Sequence, residues 1–470
     1  MSEYYINPSK TYIFPSEISI VYFEEKILII APEHLNWIVL MSNEQLEIFK
    51  HFQDGLSIEQ VCLMNYSQPD VVYVVTQVEA RKFNCCEKLA SKKIEIKKDV
   101  DMHFYLTNEC NLLCSHCYMF SGEKKKDELT GSEIKKVISD FKEKAQGNLI
   151  TFSGGEPSLR KDFDEIICYA SECGLEVKLL TNGTLFTQER VSKISKYLSS
   201  VQISIDGFSE ETNALIRGRA NFEKALKSVE AFLDNGVRTA IAITPSIISL
   251  RKNQHDYIQF AKKLSTKYKK RPFEIRFSEE LLNGRFLQNA REVNEEYGQL
   301  IHSVQEKLFG SSYALMEFVK KLTDNPKIAN CSFGSMTVSA SGDVYTCPRI
   351  GDIKSIGNVR TSSFEEIWNK LNYIEQITEV SQIEPCYSCN LRYICGGGCR
   401  LEEIPQGILD NVIEMKVTKR IRRRECDERQ KHKFYRFMIE SNEYFYSELD
   451  ENSPICKQIF LCGDKSTNKC

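Results

Sequence analysis

The sequence lacks an apolar run long enough to cross a bilayer. Its most apolar early stretch, Ile18 to Met41, is broken by Glu24, Glu25, Lys26, Glu33 and His34, whereas a spanning helix needs about 20 apolar residues in succession. A secretion signal is missing too, because the start, MSEYYINPSK, has no basic segment followed by an apolar core. Nor is there an excess of one charge: 62 Lys and Arg face 65 Asp and Glu, a net charge of -3. That balance gives no global attraction to nucleic acid or to an anionic membrane. A local basic run, Lys419, Arg420 and Arg422 to Arg424, reads as a solvated helix face. These absences predict a cytoplasmic protein with neither nucleic acid nor membrane as partner. At 470 residues, 42% apolar and 27% charged, the chain is globular and too long for one core, so two to four domains are expected.

Cysteine is what the chain has in excess, with 18. A disulfide scaffold is excluded by a reducing compartment and is unnecessary at this length. Metal or redox chemistry remains. The cysteines are also grouped, three at 110–117 and seven between 331 and 426.

Residues 1–95 read as a separate module. Strand-like runs at Ile18–Phe23, Lys26–Ile30 and Asn36–Met41 precede three helical patterns opened by Ser42, Ser57 and Pro69. The order resembles a winged helix-turn-helix, but the third helix lacks the basic face a DNA reader needs. From Asp101 onward strands and helices alternate. Strands are expected at His103–Thr107, Leu149–Phe152, Val177–Leu180, Val201–Ile205, Ala240–Thr244 and Phe273–Phe277. Helices are expected at Ser132–Ala145, Arg160–Cys173, Gln188–Leu198, Phe222–Leu233 and near Asp256–Leu264. This predicts an α/β fold, a partial (β/α)6 TIM-like barrel over 96–315. In such folds chemistry gathers beyond the carboxyl ends of the strands. Four polar clusters fall there: the Cys triad, Ser153–Pro157, Thr181–Gly183 and Ser204–Gly207.

Cys110, Cys114 and Cys117 are spaced C-x3-C-x2-C. Cubane iron–sulfur clusters normally take four Cys thiolates. No fourth Cys lies in the barrel loops, since Cys168 and Cys173 fall on or at the end of a helix. A three-ligand site leaves one iron open. A zinc knuckle using His116 is the competing reading, but His116 sits between two ligands in a turn too tight for it to join them. With Tyr118 following and the motif placed after the first strand, the pattern resembles the radical S-adenosylmethionine (SAM) superfamily.

That resemblance implies a [4Fe–4S] cluster held by Cys110, Cys114 and Cys117, with SAM chelated at the open iron and cleaved to a 5′-deoxyadenosyl radical. It assigns Gly154, Gly155 and Glu156 to the methionyl amino group, Ser204 and Asp206 to ribose and methionine, and Arg217 to the SAM carboxylate. Asn182 and Tyr118 are further cofactor contacts by position. An electron donor such as flavodoxin or ferredoxin is implied as partner.

The second group reads Cys331-x10-Gly342-x4-Cys347, Cys386-x2-Cys389-x5-Cys395-x3-Cys399, then Cys426. With Gly357–Val359 and Phe364–Trp368, it resembles the SPASM extension of radical SAM enzymes, here expected over 316–430. Zinc is the alternative for the CxxC pair. The resemblance implies two auxiliary [4Fe–4S] clusters, three clusters in all. Cys386, Cys389, Cys395 and Cys426 complete one. Cys331, Cys347 and Cys399 hold the other and leave it a ligand short, because residues 332–346 contain no further Cys. Its open iron suits a substrate thiolate, or a tail cysteine such as Cys456, Cys462 or Cys470 fills it. The tail over 431–470 has no assigned role.

A winged-helix-like domain ahead of a SPASM enzyme resembles the precursor-recognition element of peptide maturases. It implies a leader peptide bound by strand addition to the small sheet. The expected function is thioether formation between Cys and a backbone or side-chain carbon of a ribosomally made precursor, as in sactipeptide- and ranthipeptide-forming enzymes. Alternatives are a carbon–carbon crosslink or a sulfatase-type residue oxidation. Pro348, where sulfatase-maturing relatives place an Asp, counts against the latter. An iron–sulfur electron carrier or redox sensor is the non-enzymatic alternative.

Overall fold

The computed structural model describes residues 7–84, 100–310, 329, 331 and 333–448, with side chains up to 442. Three antiparallel strands, β1 (Ser19–Phe23), β2 (Lys26–Ala31) and β3 (Asn36–Leu40), open the chain. Three helices follow: α1 (Asn43–Gln53), α2 (Ile58–Cys62) and α3 (Gln68–Ala80). Each begins on a serine whose side chain accepts an N–H of the first turn: Ser42, Ser57 and Ser67. Strand β2 is buried almost throughout because both faces of the sheet are covered. Ile27, Ile29, Ile38 and Leu40 meet the helices. Leu28, Ile30, Trp37 and Val39 meet Leu391, Ile394 and the C-terminal helix.

The barrel contains β4 (Asp101–Tyr105), α4 (Gly131–Ala145), β5 (Leu149–Ser153), α5 (Phe163–Glu172), β6 (Glu176–Thr181), α6 (Gln188–Ile194) and β7 (Ser200–Ser204). It continues through α7 (Glu210–Arg217), α8 (Phe222–Asp234), β8 (Arg238–Ile243), α9 (Ile247–Lys267), β9 (Phe273–Phe277) and α10 (Ala290–Phe309). Strands β4 to β9 are parallel neighbours in chain order. The sheet continues past β4. Strand β10 (Met336–Val338) runs parallel to it, followed by antiparallel β11 (Asp343–Tyr345) and β12 (Gly357–Asn358), so the cysteine-rich region is grafted onto the barrel by hydrogen bonds.

Several expected elements shift. The helix expected from Arg160 starts at Phe163, because Arg160 bonds Asp162 and the carbonyls of Leu106 and Leu129. The helix expected to Leu198 ends as one turn of 3-10 helix. Helices α7 and α10 were not expected. Beyond the barrel come α11 (Phe364–Ile377), α12 (Gln406–Ile413) and α13 (Glu428–Glu448). Helix α13 gives the tail a place: Tyr435, Met438 and Ile439 pack on the N-terminal sheet, and Trp37 Nε1 donates to Met438 O at 3.0 Å.

The basic run is not a solvated helix face. Ile421–Arg422 pairs with Ile383–Glu384, Arg420 stacks on Tyr387 at 3.8 Å, and Arg423 is buried. Among the described residues no helix is long and apolar enough to cross a membrane. Phe152 is fully buried at the centre of the sheet, so Phe152→Ala should cost about 3–5 kcal/mol, read as a lowered denaturation midpoint; an unchanged midpoint would contradict this packing.

Candidate active site

The loop after β4 carries Cys110, Cys114 and Cys117, all free and half-buried. It is tied down locally. Cys110 N donates to Gly122 O at 2.8 Å and Gly122 N to Asn108 O at 3.0 Å. The buried Glu128 carboxylate accepts from Thr107 Oγ1 and from the N–H groups of Asn108 and Lys125. The three thiols face one another closely enough for their charges to interact, and burial pushes Cys110 up to about 11. Iron binding at this site must therefore release protons. Among the described residues no three His, Cys, Asp or Glu side chains form a cage around a single ion. His116 points instead at Asp206, with Nε2 3.4 Å from Oδ2.

The loop after β5 presses on this loop backbone to backbone. Gly155 N donates to Thr107 O and Glu156 N to Glu109 O, both at 2.8 Å. A Cβ at Gly154 would meet Thr107 O at 2.5 Å, and one at Gly155 would meet Glu109 O at 2.2 Å. The close approach made possible by these glycines is thus to the cysteine loop itself. Glu156 is fully buried and receives Ser158 N (3.2 Å), Ser158 Oγ (2.5 Å), Thr181 Oγ1 (2.8 Å) and Asn182 N (2.8 Å). A carboxylate offers about four lone-pair sites, and four donors already use them. Burial pushes its pKa up, and these hydrogen bonds pull against the shift. In this arrangement Glu156 holds the β5 and β6 loops together.

Asn182 is likewise engaged, donating to Asn111 Oδ1 at 2.9 Å and accepting from Thr184. Its bond to Asn111 reaches the cysteine loop. Ser204 ends β7 half-buried. Asp206 is fully buried and pairs with Arg217, Nε to Oδ2 at 2.6 Å, while Thr244 N donates to its Oδ1 at 2.8 Å. Arg217 Nη1 lies 3.8 Å from Cys114 Sγ. The pair therefore sets a cation beside one thiol of the triad and balances it with a carboxylate behind. His116 Nδ1 is buried without a partner. The three thiols, this orphan nitrogen and the adjacent guanidinium fit an anionic cluster with a polar ligand on it.

One residue escaped the sequence reading. In the loop after β9, Arg285 Nη1 donates to Cys114 O at 3.2 Å, its Nη2 to Ser121 O, and its backbone N to Cys117 O at 3.2 Å. Phe286 N donates to Ser115 O at 2.8 Å, and Gly284 lies so close to His116 O that a Cβ would sit 2.6 Å away. The available signal was a Gly-Arg pair in a loop beyond the carboxyl end of a barrel strand.

The seven later cysteines separate into two groups. The thiols acting on Cys347 are those of Cys331 and Cys399. Those acting on Cys386 are Cys395 and Cys389, and those acting on Cys426 are the same two. A cavity of about 610 Å³ opens onto Cys386, Cys389, Cys395 and Cys426, walled by Ser19 of the N-terminal sheet and Tyr435 of α13. The other group is tied to the barrel mouth: Tyr105 Oη donates to Pro348 O at 2.6 Å and therefore accepts from Tyr118 Oη at 2.8 Å. Cys456, Cys462 and Cys470 lie outside the described residues. Arg285→Met is expected to lower the iron retained at the triad while leaving the other thiol groups loaded; iron analysis showing full retention would contradict the strap.

Comparison with known proteins agrees with this geometry. Residues 104–264 match the radical SAM superfamily and 330–390 match SPASM, an iron–sulfur cluster-binding domain. Mycofactocin maturase MftC of Mycolicibacterium smegmatis is 28% identical over 316 residues, 64% of this chain and 78% of that protein. Fe-coproporphyrin III synthase of Methanosarcina barkeri is 27% identical, covering 67% and 87%. The subtilosin biosynthesis protein AlbA of Bacillus subtilis is 26% identical, covering 63% and 66%. Among solved structures, anSMEcpe with bound AdoMet superposes with a TM-score of 0.51 at 18% identity over 74% of this chain and 96% of that one, a likeness of fold. The chain therefore carries a radical SAM domain over 104–264 and a SPASM iron–sulfur domain over 330–390, and SAM and iron–sulfur clusters are the cofactors that these two domains take.

Proposed function

We propose that the chain is a peptide maturase that joins a cysteine sulfur to a carbon of a ribosomally made precursor. The observation that carries this reading is the division of the seven SPASM thiols into four and three. Cys331, Cys347 and Cys399 leave a cluster one protein ligand short, and a substrate thiolate is a soft ligand suited to it. AlbA, by its name, serves a bacteriocin pathway, which supports a peptide substrate over the tetrapyrrole of the synthase relative. Pro348 and Arg349 after Cys347 offer no carboxylate for sulfatase-type chemistry.

In this reading Cys110, Cys114 and Cys117 hold the cluster that chelates SAM, and together they supply a 5′-deoxyadenosyl radical. The remaining residues shape the mouth. Asp206 fixes Arg217 beside Cys114, Glu156 locks two loops, and Asn182, Ser204 and Tyr118 line or buttress the SAM position. Cys386, Cys389, Cys395 and Cys426 hold the complete cluster. The peptide would lose two hydrogens for one carbon–sulfur bond: one leaves as a hydrogen atom to the radical, the thiol proton goes to solvent, and the remaining electron goes to an auxiliary cluster.

Leader binding by strand addition needs a free edge. The outward groups of β3 are already taken: Arg81 Nε donates to Trp37 O, Gln77 Oε1 accepts from Val39 N, and Tyr73 Oη donates to Val39 O. Among the described residues β1 has no strand on its outer side, and Ile20 and Tyr22 are exposed there. In the alternation of an antiparallel pair, the backbone groups of Ile20 and Tyr22 face outward. We therefore assign the leader to β1.

Two measurements bear on this proposal. Reconstituted enzyme with SAM, a strong reductant and a Cys-containing precursor should yield 5′-deoxyadenosine and a peptide lighter by two hydrogens whose cysteine resists alkylation. The same mass loss with a fully alkylatable cysteine would replace the thioether by a carbon–carbon bond. Ile20→Pro, which removes an outward N–H and spares the β1–β2 ladder, should weaken leader binding at least tenfold. Unchanged binding would contradict the assignment of the leader to β1.

A further inference from the structure

Each group of thiols has an arginine close by, half-buried at the first and buried at the other two, and one of the three differs from the others. Arg217, beside Cys114, is paired with Asp206. Arg423, whose Nη1 lies 3.9 Å from Cys386 Sγ, is paired with Glu403. Arg400 is 1% exposed, among the largest fully buried side chains of the protein, and among the described residues it pairs with no carboxylate.

The position of Arg400 follows from the loop before it. Cys395, a ligand of the four-thiol group, and Cys399, a ligand of the three-thiol group, are separated only by Gly396, Gly397 and Gly398. All three glycines have positive φ, 69°, 82° and 77°, a run that other residues rarely adopt. The resulting left-handed turn directs carbonyls inward. Gly396 O and Gly398 O accept from Arg400 Nη1 at 2.8 and 2.7 Å, and Thr378 O accepts from Nε at 2.8 Å. A Cβ at Gly397 would meet Nη1 at 3.2 Å. The carbonyls fix the guanidinium but do not neutralise it. Among the described residues Nη2 has no hydrogen-bond partner.

A buried charge without a counter-charge is strongly disfavoured, and so is a buried donor without an acceptor. Arg400 directly follows Cys399 of the three-thiol site and lies three glycines and one cysteine beyond Cys395 of the four-thiol site, and once ionised the thiols of Cys331, Cys399, Cys386 and Cys395 attract it. Iron–sulfur clusters on thiolates are anionic, and their potentials depend on nearby charge and on hydrogen bonds to sulfur. We infer that Arg400 is the shared counter-cation of the two auxiliary clusters, neutralising both and holding both reduction potentials up. It is a positioning residue that couples the sites, since reduction of either cluster draws on the same charge. The inference rests on the iron–sulfur loading of the SPASM region and is independent of which bond the enzyme makes.

The test is a redox titration monitored by electron paramagnetic resonance, on the full-length enzyme carrying Cys110→Ala, Cys114→Ala and Cys117→Ala so that only auxiliary signals remain. Arg400→Gln should lower both auxiliary potentials by at least a tenfold change in the reduction equilibrium, about 59 mV for one electron, at unchanged iron content. Arg400→Lys, which keeps the charge, should stay near the parent. Unchanged potentials in the glutamine enzyme, or a shift in one cluster alone, would overturn the shared role. If the glutamine enzyme does not load, the lysine enzyme decides. Full loading at near-parent potentials supports the charge; failure to load reduces Arg400 to an anchor for the Thr378, Gly396 and Gly398 carbonyls and overturns the inference.

Discussion

The contact of one backbone with another at Gly154 and Gly155 governs how the mouth of this barrel is built. Side chains there would overlap Thr107 O and Glu109 O, so only glycine lets the β5 loop seat against the cysteine loop. Once seated, Glu156 is driven into a site with no water, where it must collect four donors from Ser158, Thr181 and Asn182. Those donors in turn fix the β6 loop, whose Asn182 reaches back to Asn111 beside Cys110. The Arg285 strap closes the other side. The thiols are thus held by backbone contacts at the glycines and by side-chain hydrogen bonds of Glu156, Asn182 and Arg285.

The second constraint is charge. Bringing anionic clusters into a low-dielectric interior requires nearby cations, and the fold places an arginine at each thiol group. Two arginines carry their own carboxylates, so their net effect on potential is damped. Arg400 carries none. The same region binds the N-terminal domain: Arg392, between Cys389 and Cys395, pairs with Glu17 and Glu33, and Leu391 and Ile394 join the core under β2 and β3. The four-thiol site therefore lies where the small domain, the SPASM region and α13 meet.

Much of this was legible in the sequence, for physical reasons that differ by region. Strands β4 to β8 were readable because each alternates buried apolar residues with more accessible ones between turn signals. The grouping of the seven later cysteines followed from the SPASM resemblance and reappears in the electrostatics. For the glycines and Glu156 the structure adds contacts within the protein that spacing does not reveal. Spacing marks a mouth residue and does not say whether its lone pairs are already spent. Arg285 and Arg400 were missed, and Arg423 was read as part of a solvated run, because an arginine held by carbonyls is indistinguishable in sequence from a solvated one until those partners are known. The capped edge of β3 was hidden similarly, in three polar residues of α3 that any helix could carry.

The central claim is that two clusters of three lack a fourth protein thiolate. Mössbauer spectroscopy of iron-57-loaded enzyme without SAM or peptide tests it most directly. Two cluster populations should each show one iron distinct from the other three, and only the Cys386, Cys389, Cys395 and Cys426 site should be uniform. A single site-differentiated cluster would mean that another ligand completes the Cys331, Cys347 and Cys399 site, and would contradict the account.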